Sequence, residues 1–430
     1  MKRKIKKITK NPLILLFLLI FIVFTPQALY SPGQSRNVGV VVAMGIDRAD
    51  EGYEVSLLTF IPKTSPTFQE TDSVVSGKAN SIAKALYNAQ VALGRRVGLS
   101  HVKTTVLSQE LMQEDVTGIV DYLTRLAALS ASTVFIGTNG SAKELLSLST
   151  NLENSIGLDI EQVIGFNSDK LFVDETSLED FYKGYYGRER ASTIGFLPVV
   201  EDQQMQRASV IEEGESPSGA SSGSAGQEGN SAGNGSAPSA SNAGASSSGG
   251  NKYILNNGDA ILLKNGKMVE ILSLDQVNSL NILNGKTKGQ IIRVEECEVD
   301  GSTHDITYRI REKNVRKKTI FENGIPVLEA NITLGMELME IDGEHRNLKI
   351  RSEHSKLTPE IIAKIDSKLK KEFKQVVDIM KQHSADAIGV TTQFFRENKA
   401  QYNLFIKKLS AEDEFINHVI FKLNFVIEPN

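Results

Sequence analysis

Between Gly214 and Gly250 the chain cannot contribute to a packed core. Of these 37 residues, 29 are Gly, Ser or Ala, and no Lys or Arg occurs from Ala208 to Asn251. This composition offers too little apolar surface to offset the entropy of ordering the backbone. A flexible tether of this length has a coil size of about 35 Å. The 430 residues must therefore fold as two stretches, with 209–251 as a disordered linker between them. A tolerated surface insertion explains the tract more simply than a binding element does.

The N-terminus sets a second constraint. Met1–Lys10 holds six basic residues and no acid, and Leu13–Phe24 is twelve apolar residues without interruption. Residues 1–30 thus read as a secretory signal or as a short uncleaved transmembrane anchor. Both put Met1–Lys10 in the cytoplasm and everything after Tyr30 outside. The formal net charge is −4, but the 400 residues after Tyr30 carry 42 basic and 52 acidic residues, a net of −10. An acidic body argues against nucleic acid as a partner, since phosphate binding needs clustered Lys and Arg.

The pattern from residue 36 to 208 predicts an α/β domain, with a subdomain split near 150. Asn37–Ile46 and Tyr53–Ile61 read as a strand pair joined by a polar turn. Ser76–Leu93 has helical apolar spacing, closed by Gly94. Val102–Leu107 is a strand, Val116–Leu129 a helix and Thr133–Ile136 a strand. Ser141 caps a further helix, with Glu144 three residues on. Helices are expected around Ile156–Ile164 and Ser177–Tyr182.

The stretch 252–430 predicts an α+β domain, an antiparallel sheet covered by long helices. Ala260–Leu263 and Met268–Leu272 flank Asn265-Gly266, a two-residue hairpin signal. Asp275–Leu283 is a short helix. Strands follow at Gln290–Glu298, His304–Glu312, Lys317–Phe321 and Val327–Glu340, with a turn at Asn323-Gly324. Thr358–His383 is a long helix with an apolar stripe from Ile361 to Met380 and Pro359 in its first turn. A second helix covers Ile388–Lys408, and the strand His418–Ile427 closes the chain.

Few residues group into recognisable chemistry. Gly285-Lys286-Thr287 resembles the end of a phosphate loop, but position 280 is Leu rather than the required Gly. Glu344-His345 and Glu353-His354 do not set two histidines on one helical face. His101, His304, His383 and His418 fall in separate elements. Cys297 sits among Glu295, Glu296 and Glu298, whose charges should raise its pKa and blunt it as a nucleophile. One cysteine allows neither an internal disulfide nor a thiolate cage. Arg309–Lys318 holds six basic residues in ten and reads as a solvated strand face, with an anionic contact as the alternative. Lys364, Lys368, Lys371 and Lys374 read the same way along the long helix. No catalytic, cofactor or metal residues are assigned.

The order of motifs resembles the Ger(x)C family, the C subunits of spore germination nutrient receptors. Gly39–Asp47 with Tyr53–Pro62 looks like the family's opening strand pair. Ser76–Ala85, Gly94-Arg95-Arg96, His101-Val102-Lys103, Val120–Arg125 and Ala142–Leu146 follow in the family's order. Gly258–Lys264 with Met268–Leu272 looks like the start of its C-terminal domain. Ser384–Gly389 with Phe394, and Val419–Ile427, look like its end. Family members usually carry a lipobox Cys after the apolar run, where this chain reads Leu29-Tyr30-Ser31. That departure favours a polypeptide anchor over a lipid.

The resemblance implies a non-enzymatic subunit on the outer face of the spore inner membrane, assembled with membrane-embedded A and B subunits. His101 and Arg95 fall in the matched region and are expected to be buried hydrogen-bonding residues. Two other readings compete. One is an exported binding protein that captures a nutrient in a cleft between its halves. The other is a cell-wall hydrolase, which the absence of a plausible carboxylate pair or metal set disfavours.

Overall fold

The structure is a computed structural model that describes residues 38–60, 73–94, 96–148, 176–201, 252–287, 289–299, 301–341 and 357–429. The basic and apolar residues 1–30, the helix expected at Ile156–Ile164, the tract 209–251, Glu344-His345 and Glu353-His354 lie outside these. No helix among the described residues is long and apolar enough to cross a membrane.

The first half opens as its alternation predicts. β1 (Val38–Ala49) and β2 (Gly52–Phe60) form an antiparallel hairpin. The next segment departs from expectation. Ser73–Ala79 is a strand, β3, paired with β2, and the helix α1 begins only at Ile82 (Ile82–Leu93). Ser81 ends the strand and caps the helix, its hydroxyl accepting the Lys84 N–H. Gly77 lets β3 lie against α1. A Cβ there would come within 2.2 Å of the Ala89 nitrogen. Gly94 closes α1 in the left-handed conformation, as predicted.

A short strand β4 (Arg96–Gly98) pairs with β1. β5 (Thr104–Ser108) is buried along its whole length and leads into the one-turn helix α2 (Gln109–Met112). Then come α3 (Thr117–Arg125), β6 (Val134–Thr138) and α4 (Ala142–Ser147), which Ser141 caps. After residue 176, Ser177 caps α5 (Leu178–Tyr186). β7 (Ala191–Phe196) and the short β8 (Val199–Glu201) follow. β8 pairs with β9 (Lys252–Ile254), so Glu201 and Lys252 lie opposite one another. The described chain therefore leaves the fold at Glu201 and rejoins it at Lys252 in one place.

The residues just after 252 bridge the two halves. β10 (Ala260–Lys264) and β11 (Lys267–Leu272) form the predicted hairpin, with Asn265 and Gly266 at φ 50° and 75°. Positive φ at both positions fits the right-handed twist of the flanking strands. The hairpin, however, joins the first sheet, β10 pairing antiparallel with β7. That nine-stranded sheet runs β11-β10-β7-β6-β5-β1-β2-β3, with β4 beside β1.

β10 is buried throughout, and its period of two divides it between two cores. Ile261 and Leu263 pack with Ile46, Leu107 and Phe135 in the first. Ala260 and Leu262 pack with Ile365, Phe373 and Phe394 in the second. A cut within 209–251 is thus expected to leave both fragments together in native gel filtration. Separate elution would contradict this account of the seam.

The second half continues with α6 (Leu274–Leu283), held by a capping box between Ser273 and Gln276. β12 (Ile291–Val299) pairs with β13, which runs unbroken from Ser302 to Glu322 where two strands were expected. β14 (Ile325–Ile341) follows a tight turn with Asn323 and Gly324 at positive φ. β15 (Ile420–Pro429) ends the sheet β12-β13-β14-β15. β12 to β14 are antiparallel as expected, but β15 runs parallel to β14.

α7 (Pro359–Gln382) buries Ile361, Ile365, Leu369, Phe373, Val376, Val377 and Met380, the predicted stripe, against this sheet. The single helix expected over Ile388–Lys408 is two, α8 (Val390–Glu397) and α9 (Lys399–Ile406). Asn398 separates them. Its side-chain amide donates to the Thr319 carbonyl at 2.9 Å, tying the break to β13.

Candidate functional site

A cleft of about 710 Å³ opens at the seam, between the end of α5, the start of β7, α6 and the start of α8. The loop after α5 supplies Arg188 and Glu189. The Arg188 guanidinium stacks 3.6 Å over the Phe395 ring and pairs with Glu412. Glu412 also accepts the Tyr402 hydroxyl at 2.9 Å. Burial, reinforced by that carboxylate, pushes the Tyr402 pKa up. Glu189 is 7% exposed, and its Oε1 accepts the Thr392 N–H at 2.9 Å. Lys264, also 7% exposed at the end of β10, donates to the Glu189 carbonyl at 3.0 Å and pairs with Asp413 at 3.1 Å. Burial holds its pKa below the usual lysine range, with Asp413 opposing.

Asp386 lies beneath this knot. Its carboxylate accepts the N–H groups of Ile388, Val390 and Thr391, the last at 2.7 Å. It thereby satisfies amides that open α8. Burial pushes its pKa up, and the nearby Glu189 adds to the shift. The seam is thus closed by polar contacts that are each specific, a poor setting for independent motion of the halves.

The residues singled out in the sequence are scattered. His101 is exposed in a 3-10 turn (Leu99–His101), not buried as expected; Arg95 lies outside the described residues. Gly285-Lys286-Thr287 follows α6 as a turn, and Lys286 reaches the cleft's rim. Cys297 is fully buried beside a bulge in β12, and its thiol is pushed up, as expected. The main cause is burial, with smaller contributions from Glu360 and Asp305 rather than from the adjacent glutamates.

Arg309 and Arg311 pair with Glu337 across the strand. Lys364 and Lys368 do more than face water. Lys364 donates to the Glu296 carbonyl, and Lys368 to that of Arg293 at 2.9 Å, fastening α7 to β12. Among the described residues, no three His, Cys, Asp or Glu side chains are grouped to hold a metal. Sequence reasoning missed Glu189, Lys264 and Asp386. Isolated charges in loops and at strand ends carry no periodic signal, so only the tertiary seam brings them together.

Comparison with known proteins defines the class. Residues 34–201 match the family model for the spore germination protein N-terminal domain, and residues 257–424 match that for the spore germination B3/GerAC-like C-terminal domain. The crystal structure of the GerBC protein aligns over 90% of this chain and 96% of its own, at 15% identity and a TM-score of 0.49. No curated protein sequence matches. This is a two-part spore germination protein. The chain belongs to the Ger(x)C family.

Proposed function

We propose that the chain is a non-enzymatic, membrane-tethered subunit of a nutrient germinant receptor. It acts by assembly with membrane-embedded A and B subunits, its body on the outer face of the spore inner membrane. The observation that carries this reading is the succession of both family halves, 34–201 then 257–424, in one chain. The basic and apolar residues 1–30 support a tether, and the sequence has one cysteine, Cys297, buried in β12. The tether is therefore polypeptide rather than a lipid on an N-terminal cysteine. Spores lacking the chain are expected to lose their response to at least one nutrient, with recovery on complementation. Normal responses to every nutrient would contradict the proposal.

A further inference from the structure

The second sheet has an open edge. β15 ends the order β12-β13-β14-β15 and pairs only with β14 among the described residues. Their register runs without a bulge from Ile420 onward. Alternate N–H and C=O groups from Ile420 to Ile427 therefore point away from β14, and no described backbone bonds to them. Folded proteins usually bulge, charge or cover such an edge.

A groove of about 400 Å³ runs beside this edge, between β15 and α7. Its floor is apolar, formed by Val377 of α7 and by Phe421 and Leu423 of β15. Val377 is buried and the other two are half-buried. Lys370, Lys374 and Lys381 line it along α7, and no carboxylate does among the described residues. The nearby acids are engaged or lie off the groove. Asp366 accepts the Lys370 ammonium at 2.7 Å. Asp378 opposes the fall that burial imposes on the Lys381 pKa. Glu322 and Glu329 meet Lys422, which alternation puts on the other face of β15. Glu428 stands at the strand's far end. Lys374 is exposed and enters no ion pair among the described residues.

A bilayer, flat on this scale, would reach the lysines but neither the floor nor the open backbone. A second copy would set two rows of lysines against each other. An extended peptide carrying carboxylates meets all three features, its backbone on the strand edge, its apolar side chains on the floor and its acids on the lysines. We propose that β15 and its groove bind an acidic and apolar segment of a partner protein, which adds to the four-stranded sheet as a further strand. The proposal defines the segment by its chemistry and does not depend on which protein supplies it.

The test uses the full chain in phosphatidylcholine nanodiscs and two libraries of ten-residue peptides, the length of β15. One library is built from Asp, Glu, Val, Leu and Phe, the other from Lys, Arg, Val, Leu and Phe. The acidic library should yield a peptide that binds saturably, and the basic library none. N-methylation of one alternate set of that peptide's amides should abolish binding, while the other set should tolerate it, because an added strand turns only every second N–H toward its neighbour. Lys374→Glu, an exposed position, should weaken binding about fivefold or more. The bound peptide should slow hydrogen exchange at alternate amides of Ile420–Ile427. No binder in the acidic library, equal binding from the basic one, tolerance of both methylated sets, or affinity unchanged in Lys374→Glu would each overturn the proposal. Protection of β15 by phosphatidylglycerol nanodiscs alone, or by self-association without peptide, would assign the face to lipid or to a second copy and overturn it as well. Co-purification from spore membranes reads receptor assembly separately.

Discussion

Replacing Asp386 with alanine is expected to destabilise the folded chain by about 3 kcal/mol, measured by denaturant unfolding. The carboxylate accepts the N–H of Ile388, just before α8, and those of Val390 and Thr391, which open it. Removing a cap costs about 1 kcal/mol, and buried amides left without an acceptor cost about 1–3 kcal/mol more. Partial relaxation and water entry keep the total below the sum. Asp386→Asn retains an acceptor oxygen and removes the charge that burial and Glu189 disfavour, so it should cost less than half as much. A loss under about 1 kcal/mol for the alanine variant would show that α8 is capped by other means.

The second large effect depends on pH. Glu372 on α7 faces a small pocket lined by Asp275, Gln290 and Lys368. Burial raises its pKa to about 7, Asp275 adding to the shift and Lys368 and Lys371 opposing it. In that pocket, the buried side-chain oxygens of Asn278 and Gln290 have no donor among the described residues, so a protonated Glu372 has acceptors at hand.

The folded state holds this proton more tightly than the unfolded chain does. Stability is therefore full below the ordinary glutamate pKa and falls as pH rises from there through about 7. Glu372→Gln should leave stability near pH 5 almost unchanged. Near pH 8 it should raise stability by about 1–2 kcal/mol, a value reduced from full linkage because the group is partly solvated. Parallel stability–pH curves for the two proteins would refute the assignment.

What could be read in the sequence was local. The stripe of α7, the Asn265-Gly266 hairpin, the Ser141 cap and the Gly94 stop each follow from neighbouring residues, and each is found. The misreadings were also local in cause. Ser73–Ala79 is short and rich in small residues, and nothing in it opposes the helical spacing that begins at Ile82. The apolar run at Ala260–Leu263 announces a buried strand, but nothing in it says which sheet it completes. That depends on pairing with β7 across the long tract. The parallel course of β15 and the junction of Glu189, Lys264 and Asp386 depend on contacts between residues far apart in the chain, which periodicity does not report.

A tagged form of the chain recovered from detergent-solubilised spore membranes should bring down the A and B subunits together. That yield should fall when residues 1–30 are deleted, because the body would no longer be held beside its membrane partners. Recovery of the chain without either subunit, from membranes in which both are present and intact, would contradict the account.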